Sequence, residues 1–262
     1  MKLNVHGCRG SVPVQSRGQT RYGGNTSCFE VTFGQFQIFF DTGTGFRTAQ
    51  FGGPEITKIL LYSHWHHDHV QGFAFNPNIF VPDHKVLVAS GLSSADVSRQ
   101  MLQQYFSGSY FPIDVIGSLK NIIFHEFEYI KENFINDFRL NNLSLNHPGG
   151  ASGFRLEHNK KIICYLCDNE YHETQLPELK DFVEGANCVI WDGMFTDEEL
   201  SQKRGWGHSS VNQGIEFCEK CDVKKLLVTH HAPERNDDQL DEINNQLPGN
   251  VELAFDGMSY EF

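Results

Sequence analysis

Residues 63–70 read SHWHHDHV, a stretch with four histidines and one aspartate within six consecutive positions. An isolated histidine is more often a packing or surface residue than a ligand. Neutral imidazole and carboxylate groups are, however, ligands that suit Zn²⁺, Mn²⁺ and Fe²⁺. The spacing His64-x-His66-x-Asp68-His69 therefore predicts a site at which two adjacent cations share donors from one short segment.

Four predicted strands run directly into a residue that can bind a metal ion. They are KILLYS before His64, NNLSLN before His147, KIICYLC before Asp168 and KLLVT before His230. Side chains at strand ends are held by a rigid scaffold and face an open edge, where functional sites are commonly built. We therefore expect distant segments to contribute to one site. The spacing alone does not decide between His230 and the adjacent His231.

The first half of the chain predicts short strands joined by glycine-containing turns. SCFEVTF and FQIFFD predict a hairpin around Gly34-Gln35, and KVLVAS predicts a further strand. The loop DTGTG precedes a short helical stretch. Residues 93–106 predict a longer helix that begins at Ser93 or Ser94.

The second half again combines strands with amphipathic helices. SVNQGIEFCEKC contains a capping-box pattern between Ser210 and Gln213, and DDQLDEINNQL places its apolar residues on one helical face. No Pro-, Gly- or Ser-rich linker divides the halves. We therefore expect a single α/β domain over residues 1–262, with two packed sheets and helices outside them.

The composition is that of a globular chain, with 262 residues of which 39% are hydrophobic. No apolar run approaches the roughly 18–20 residues of a membrane span. The N-terminus MKLNVHGCRGSV lacks an apolar signal core, so we expect a cytoplasmic protein. The formal charge of −12 argues against a nucleic-acid backbone as partner. A small anionic substrate fits if the site itself is positive.

Seven cysteines are an odd number for a disulfide framework and fit a reducing compartment better. Two CxxC pairs, Cys164/Cys167 and Cys218/Cys221, have the spacing of a zinc ribbon. The first pair lies on a predicted strand, where positions three apart face opposite sides. The second lies on a predicted helix. We therefore expect no structural zinc site there.

The motif HWHHDH resembles the HxHxDH motif of the metallo-β-lactamase-fold superfamily. The resemblance extends over nearly the whole chain, through DTGTG at 41–45, NHPGG at 146–150, YLCDNE at 165–170 and VTHHAPE at 228–234. It implies an αββα sandwich, in which two mixed β-sheets pack together between layers of helices. It also implies a hydrolase with two divalent metal ions, zinc ahead of manganese or iron.

The resemblance implies a ligand set as well. The sets are His64, His66 and His147 for one ion, Asp68, His69 and His230 for the other, and Asp168 as the bridge. His67 occupies a variable position of the motif and is not expected to bind a metal. Cations about 3.5–4 Å apart bind a bridging water, lower its pKa and polarise the substrate. Asp68 is expected to orient the resulting hydroxide.

The segment WDGMFTDEELSQKRGWGHSSVNQ at 191–213 is similar to the phosphodiesterase branch of the superfamily, which includes ribonuclease Z. This similarity implies that His208 assists departure of the leaving oxygen and that Asp192 orients its ring. GCRGSVPV and RYGGNTSCFEV resemble the cyclic-nucleotide-phosphodiesterase-type members of that branch. Asn25 and Thr26 are then expected to contact phosphate, unless these glycine-rich loops serve only to form turns.

The sequence thus predicts a dinuclear metal-dependent phosphodiesterase for a small phosphodiester such as a cyclic nucleotide. The alternatives are a tRNA 3′-processing endonuclease and a carboxyl-ester hydrolase, lactone hydrolase or lactamase of the same fold. The acidic charge and the lack of a long Gly/Lys-rich insertion count against a tRNA substrate. The segment YFSGSYFPIDV within residues 92–117 predicts either an aromatic lid or a dimer contact. A homodimer is implied by the resemblance alone.

Overall fold

The computed structural model describes residues 1–262 and consists of two β-sheets with helices on their outer faces. The first sheet has the order β13-β1-β2-β3-β4-β5-β6 and the second the order β12-β11-β10-β9-β8-β7. The strands of the first sheet are β1 (Lys2–Gly7), β2 (Cys28–Phe33), β3 (Phe36–Phe40), β4 (Thr57–Tyr62), β5 (Val86–Ser90), β6 (Ile122–Phe124) and β13 (Ser259–Glu261). Those of the second are β7 (Arg139–Leu145), β8 (Ala151–His158), β9 (Lys161–Leu166), β10 (Cys188–Asp192), β11 (Leu226–Thr229) and β12 (Val251–Leu253).

Both sheets are mixed and follow the same internal plan. In the first, β1, β2 and β3 pair antiparallel, whereas β3 to β6 pair parallel. In the second, β7, β8 and β9 pair antiparallel, whereas β9 to β12 pair parallel. The predicted hairpin is confirmed as β2–β3, and its turn contains Gly34 at a φ of 50°. Parallel strands bring several carboxyl ends to one edge of each sheet, where α/β proteins bind ligands.

The main core lies between the two sheets and comprises 26 buried residues. Phe40 of β3 stacks on both Phe154 of β8 and Tyr165 of β9, with ring centroids 5.6 and 5.3 Å apart. Phe39 and Leu166, which are adjacent in sequence to Phe40 and Tyr165, face the other way and pack beneath the helices. Each central strand is therefore buried on both faces, which explains the nearly continuous apolar runs in the sequence.

Eight α-helices complete the sandwich. They are α1 (His67–Val70), α2 (Ala95–Tyr105), α3 (Val115–Ser118), α4 (Phe127–Asn133), α5 (Leu176–Val183), α6 (Asp197–Gln202), α7 (Val211–Lys220) and α8 (Asp237–Asn244). Leu102 of α2 packs on the outer face of the first sheet. Leu179 of α5, Phe217 of α7 and Leu240 of α8 pack on that of the second. The predicted αββα sandwich is confirmed.

The helix signals in the sequence locate α2 and α7 closely. The Ser94 side chain caps α2, and the capping box of Ser210 and Gln213 begins α7. The predicted helix at DDQLDEINNQL is present but ends at Asn244, before the last apolar residue, Leu247. None of the helices has the length and apolar character needed to cross a membrane.

Candidate metal centre

The metal-type residues predicted from four strand ends meet at one edge of the sandwich. His64 lies two residues beyond β4, Asp168 two residues beyond β9, and His230 directly after β11. His147 follows the end of β7 by two residues. All four are buried within the protein or nearly so. The packing of the two sheets therefore brings together residues that are far apart in the sequence.

The Asp168 carboxylate lies at the centre of the cluster. Its Oδ2 atom is 3.7 Å from Nε2 of His64, 3.7 Å from Nε2 of His147 and 3.4 Å from Nε2 of His69. Its Oδ1 atom is 3.1 Å from Nδ1 of His230. A single carboxylate thus contacts both groups of histidines, which is the position expected for a bridging ligand.

The donors fall into two groups on either side of Asp168. One group comprises His64, His66, His147 and Asp168, and the other comprises Asp68, His69 and His230. Within each group the potential ligand atoms all lie within 4.8 Å of one another. The grouping is the one that the sequence resemblance implies, and the assignment of these residues as metal ligands stays a prediction.

The chemistry of this donor set fits a pair of divalent cations. The Nε2 atoms of His64, His69 and His230 are buried and have no hydrogen-bond partner in the protein. Those of His64 and His69 lie 3.7 and 3.4 Å from Asp168 Oδ2, and that of His230 lies 3.7 Å from Asp68 Oδ2. Buried polar atoms without partners are costly, so their position around these two carboxylates indicates that the cluster is built to surround positive charge. Among zinc, manganese and iron, zinc is the best match to this ratio of imidazole to carboxylate donors.

Outer contacts hold the histidine rings with one nitrogen directed inward. Asp41, in the DTGTG loop, accepts a hydrogen bond from His69 Nδ1 at 2.8 Å. The same carboxylate accepts from the Ser63 backbone N–H at 2.8 Å and from the Tyr165 hydroxyl at 2.8 Å. His147 Nδ1 donates to the Gly207 carbonyl at 2.8 Å. Such partners fix the tautomer and orientation of ligand histidines.

Burial also favours the protonation state that binds a cation. Desolvation lowers the pKa of His64, and the neighbouring His69 lowers it further. The pKa of His147 is likewise lowered, chiefly by burial. Neutral imidazole is the metal-binding form, so these two rings are prepared to act as ligands at neutral pH.

Two histidines next to the cluster do not join it. His67 is exposed, and its ring contacts the Tyr105 hydroxyl. His231 is buried, its Nε2 atom lies 2.8 Å from the Ala254 carbonyl, and burial lowers its pKa to about 3. The structure thus brings His230, and not His231, to the centre.

The seven cysteines are all buried and none forms a disulfide. Cys164 and Cys167 pack in different hydrophobic clusters on opposite faces of β9, as expected. Cys218 contacts the Val223 carbonyl, and Cys167 lies beside Asp168 and His230 of the metal-type cluster. The CxxC spacings in this chain therefore reflect core packing.

His208 and Asp192 form a buried pair at the side of the cluster. His208 Nδ1 lies 2.8 Å from Asp192 Oδ2, and its ring centroid is 4.8 Å from that of His230. This contact engages the Nδ1 atom and leaves Nε2 as the ring nitrogen available for a further hydrogen bond. Burial opposes protonation of the ring, but Asp192 and then Asp168 outweigh this effect and raise the pKa of His208 to about 9.

Glu170 positions the loop that carries His208, and sequence analysis did not identify it. Its buried Oε2 atom accepts hydrogen bonds from the backbone N–H groups of Gly205 at 2.7 Å and Gly207 at 3.0 Å. Gly207 has a φ of 88°, and a side chain there would overlap the His147 ring. The only signal for Glu170 in the sequence is its position two residues after Asp168.

The N-terminal loop reaches the centre through its backbone. The Ser11 N–H donates to Asp68 Oδ2 at 2.7 Å, and Gly10 packs so closely on the His230 ring that a side chain would overlap it. These contacts explain the glycine-rich sequence GCRGS without invoking a substrate contact. They also orient the Asp68 carboxylate.

Asn25 and Thr26 hold the N-terminal loop together. Thr26 is fully buried, and its hydroxyl accepts from the Thr44 backbone N–H at 2.8 Å and from the Gln71 amide at 3.2 Å. The Asn25 amide donates to Asp256 at 3.0 Å. Both side chains thus have partners within the protein, and their contact with a phosphate stays a prediction.

The ligand set predicts a metal stoichiometry that single substitutions alter. Wild-type protein is expected to bind two zinc ions per chain, and His230→Ala fewer, because it removes a donor of one group. His67→Ala is the matched control and should retain both. The measurement is equilibrium dialysis against Zn²⁺ followed by emission spectrometry, with circular dichroism to verify folding. Equal zinc loss in both variants would contradict the assignment.

Comparisons with known proteins agree with this geometry. Residues 36–231 match the beta-lactamase superfamily domain, whereas comparison with curated proteins gives no significant match. Solved structures resemble the chain over its whole length. They are the metallo-beta-lactamase fold protein YhfI from Bacillus subtilis (19% identity, TM-score 0.71), a diphosphatase from the PhnP family (18%, 0.70) and the short form of human tRNase Z (17%, 0.69).

The three alignments each cover 100% of this chain and, in the same order, 99%, 97% and 99% of the other. At such low identity these structures demonstrate a shared fold and nothing finer. The domain match spans most of the chain, including the HWHHDH motif and His230. The chain therefore belongs to the beta-lactamase superfamily and has the metallo-β-lactamase fold.

Proposed function

We propose that this protein is a hydrolase, namely a dinuclear metal-dependent phosphodiesterase that acts on a small phosphodiester. The observation that carries the proposal is the buried His208–Asp192 pair, whose contact of 2.8 Å lies beside the two groups of metal-type donors. A histidine held protonated by a carboxylate is suited to donate a proton to a departing oxygen. Phosphodiesters with poor leaving groups need such a donor.

Different residues of the site have different roles in the proposed reaction. The seven donors grouped around Asp168 would hold two cations, with zinc the best match to five imidazoles and two carboxylates. When bound, such a metal pair lowers the pKa of water and neutralises charge on phosphate oxygens. Asp68, fixed by the Ser11 N–H, orients the attacking group. His208 presents its free Nε2 atom to the leaving oxygen.

The alternatives of the same fold receive less support. The chain has a formal charge of −12, which disfavours a polyanion such as tRNA. The likeness to tRNase Z is one of fold and carries no substrate assignment. Hydrolysis of activated carboxyl esters releases the leaving group without a proton donor and so gives no particular role to a protonated His208. The phosphodiester hypothesis gives the buried His208–Asp192 pair a role in the reaction.

The role of His208 predicts an effect that depends on the leaving group. With zinc-loaded protein, His208→Ala should lower kcat for diphenyl phosphate by roughly 10²–10⁴-fold, the usual contribution of a general acid. The loss for bis-p-nitrophenyl phosphate should be much smaller, because p-nitrophenolate departs without protonation. Steady-state kinetics with both diesters measure this difference.

The control for this test is His125→Ala, which removes a histidine outside the donor groups and should match wild type on both diesters. Chelation should abolish turnover, and added Zn²⁺ should restore it. Equal losses for the two diesters in His208→Ala would contradict the acid role. If wild-type protein loaded with zinc, manganese or iron turns over no phosphodiester, the proposed function fails.

The Asp192–His208 pair also predicts a change in pH dependence. Asp192 raises the pKa of His208, so the acid stays protonated below that pKa and activity declines as the pH rises through it. Asp192→Asn removes the negative charge and should move the alkaline limb of the kcat/KM profile to lower pH, by about one unit. If the alkaline limb did not move in Asp192→Asn, the group that titrates in this limb would not be His208.

A further inference from the structure

A large cavity lies beside the metal-type cluster, between the HWHHDH motif and helix α2. Its volume is about 700 Å³, and nine of its thirteen lining residues are hydrophobic. Six of these nine are aromatic: Trp65, Phe75, Tyr105, Phe106, Tyr110 and Phe111. Concave sites of this size that combine apolar walls with a few polar groups are typical of small-molecule binding.

The walls of the cavity are fixed although several of its side chains face outward. Phe106 is buried and packs against Phe73 and Phe111, with centroids 5.7 and 5.4 Å apart. Tyr110 is nevertheless 78% exposed and Phe75 57% exposed. A cluster of exposed aromatic side chains on a rigid base marks a binding surface, because scattered apolar residues are normal but contiguous patches are not.

The cavity lies beside the HWHHDH motif, whose Trp65 and His67 contribute to its lining. His67 lines it and lies in the chain between His66 and Asp68 of the two donor groups. The hydroxyl of Tyr105, another lining residue, contacts the His67 ring. None of the seven donors lines the cavity, so a molecule held by them would reach it only through a substituent that extends past His67.

The polar groups of the cavity are few, and two of its glutamines keep hydrogen-bonding groups free. The Gln71 amide donates to Thr26, which leaves its carbonyl oxygen without a partner. Gln104 is exposed and forms no hydrogen bond within the protein. Amide groups at the edge of an aromatic cavity can recognise the hydrogen-bonding edge of a planar ring, whereas the aromatic walls stack on its faces.

We propose that this cavity binds a nucleobase carried by the phosphodiester substrate, so that the enzyme acts on nucleotide esters in preference to alkyl diesters. The inference rests on the proposed phosphodiesterase function and adds the substrate class to it. Base stacking on aromatic side chains is sequence-tolerant, so the cavity selects for a base rather than for one particular base. Residues 92–117 thus contribute a wall of the substrate site.

Two substrates with the same leaving group isolate the contribution of the base. Thymidine 5′-(p-nitrophenyl phosphate) and methyl p-nitrophenyl phosphate both release p-nitrophenolate, and only the first carries a base. Wild-type zinc-loaded enzyme should prefer the thymidine ester in kcat/KM by at least about tenfold, the scale of one stacked base. Met101→Trp, which fills the cavity, should reduce this preference at least fivefold.

Further variants test the same point independently of folding defects. Phe111→Ala removes an aromatic wall and should also reduce the preference, mainly through KM. Gln100→Trp is the matched control, because Gln100 is exposed on α2 but does not line the cavity. It should keep the wild-type preference. Equal preference in wild type and Met101→Trp would overturn the proposal, as would a change in oligomer mass in Met101→Trp without a change in preference.

A binding measurement separates this proposal from the proposed function. Calorimetric titration with thymidine, which has no phosphate, should detect binding to wild type and at least fivefold weaker binding to Met101→Trp. If neither diester is hydrolysed but thymidine binds in this way, the phosphodiesterase assignment fails and the base site stands. If both diesters are hydrolysed equally well and thymidine does not bind, the base site is refuted and the phosphodiesterase assignment stands.

Discussion

The Asp168 carboxylate, buried among histidine rings, is the constraint on which the rest of the site depends. Its two oxygens lie 3.1–3.7 Å from nitrogens of four histidines. A buried carboxylate is costly unless it is paired, and removal of partners from such a group typically costs about 3–5 kcal/mol. The four surrounding histidines come from three separate strand ends and the short helix α1. The site can therefore form only when the two sheets pack against each other in their correct relative position.

Aromatic packing between the sheets fixes this relative position. Phe40, Phe154 and Tyr165 stack across the interface between the sheets, and Tyr165 also donates to the Asp41 carboxylate that holds His69. The core and the candidate metal centre are thus joined by a direct hydrogen bond. A substitution that shifts the sheets relative to each other is expected to disturb the donor geometry as well as stability.

Most of the fold and the donor set could be predicted from the sequence, because both leave periodic or closely spaced patterns. Apolar strand runs that end in His64, Asp168 or His230 locate the strands and the site together. Spacing alone could not distinguish His230 from His231, because adjacent residues differ only in the direction of their side chains, and it was the family resemblance that favoured His230. His230 has a φ of 62°, a local geometry that no spacing rule foretells.

The supporting contacts were less accessible to sequence analysis. Glu170 acts by accepting from backbone N–H groups of a loop 35 residues away, so no residue pattern in its own segment reports the role. Thr26 is the opposite case. It is a polar residue in a glycine-rich loop, and this position suggested a substrate contact. In the structure its side chain is buried and supports the loop. The aromatic segment within 92–117 was predicted only as a lid or a dimer contact. Its position beside His67 becomes evident only in three dimensions.

The most direct test of the central claim is anomalous diffraction at the zinc edge from crystals of the zinc-loaded protein. The account predicts two anomalous peaks about 3.5–4 Å apart, one on each side of the Asp168 carboxylate. One peak would lie among His64, His66 and His147, and the other among Asp68, His69 and His230. A peak at a CxxC pair instead, or no peak in contact with Asp168, would contradict it.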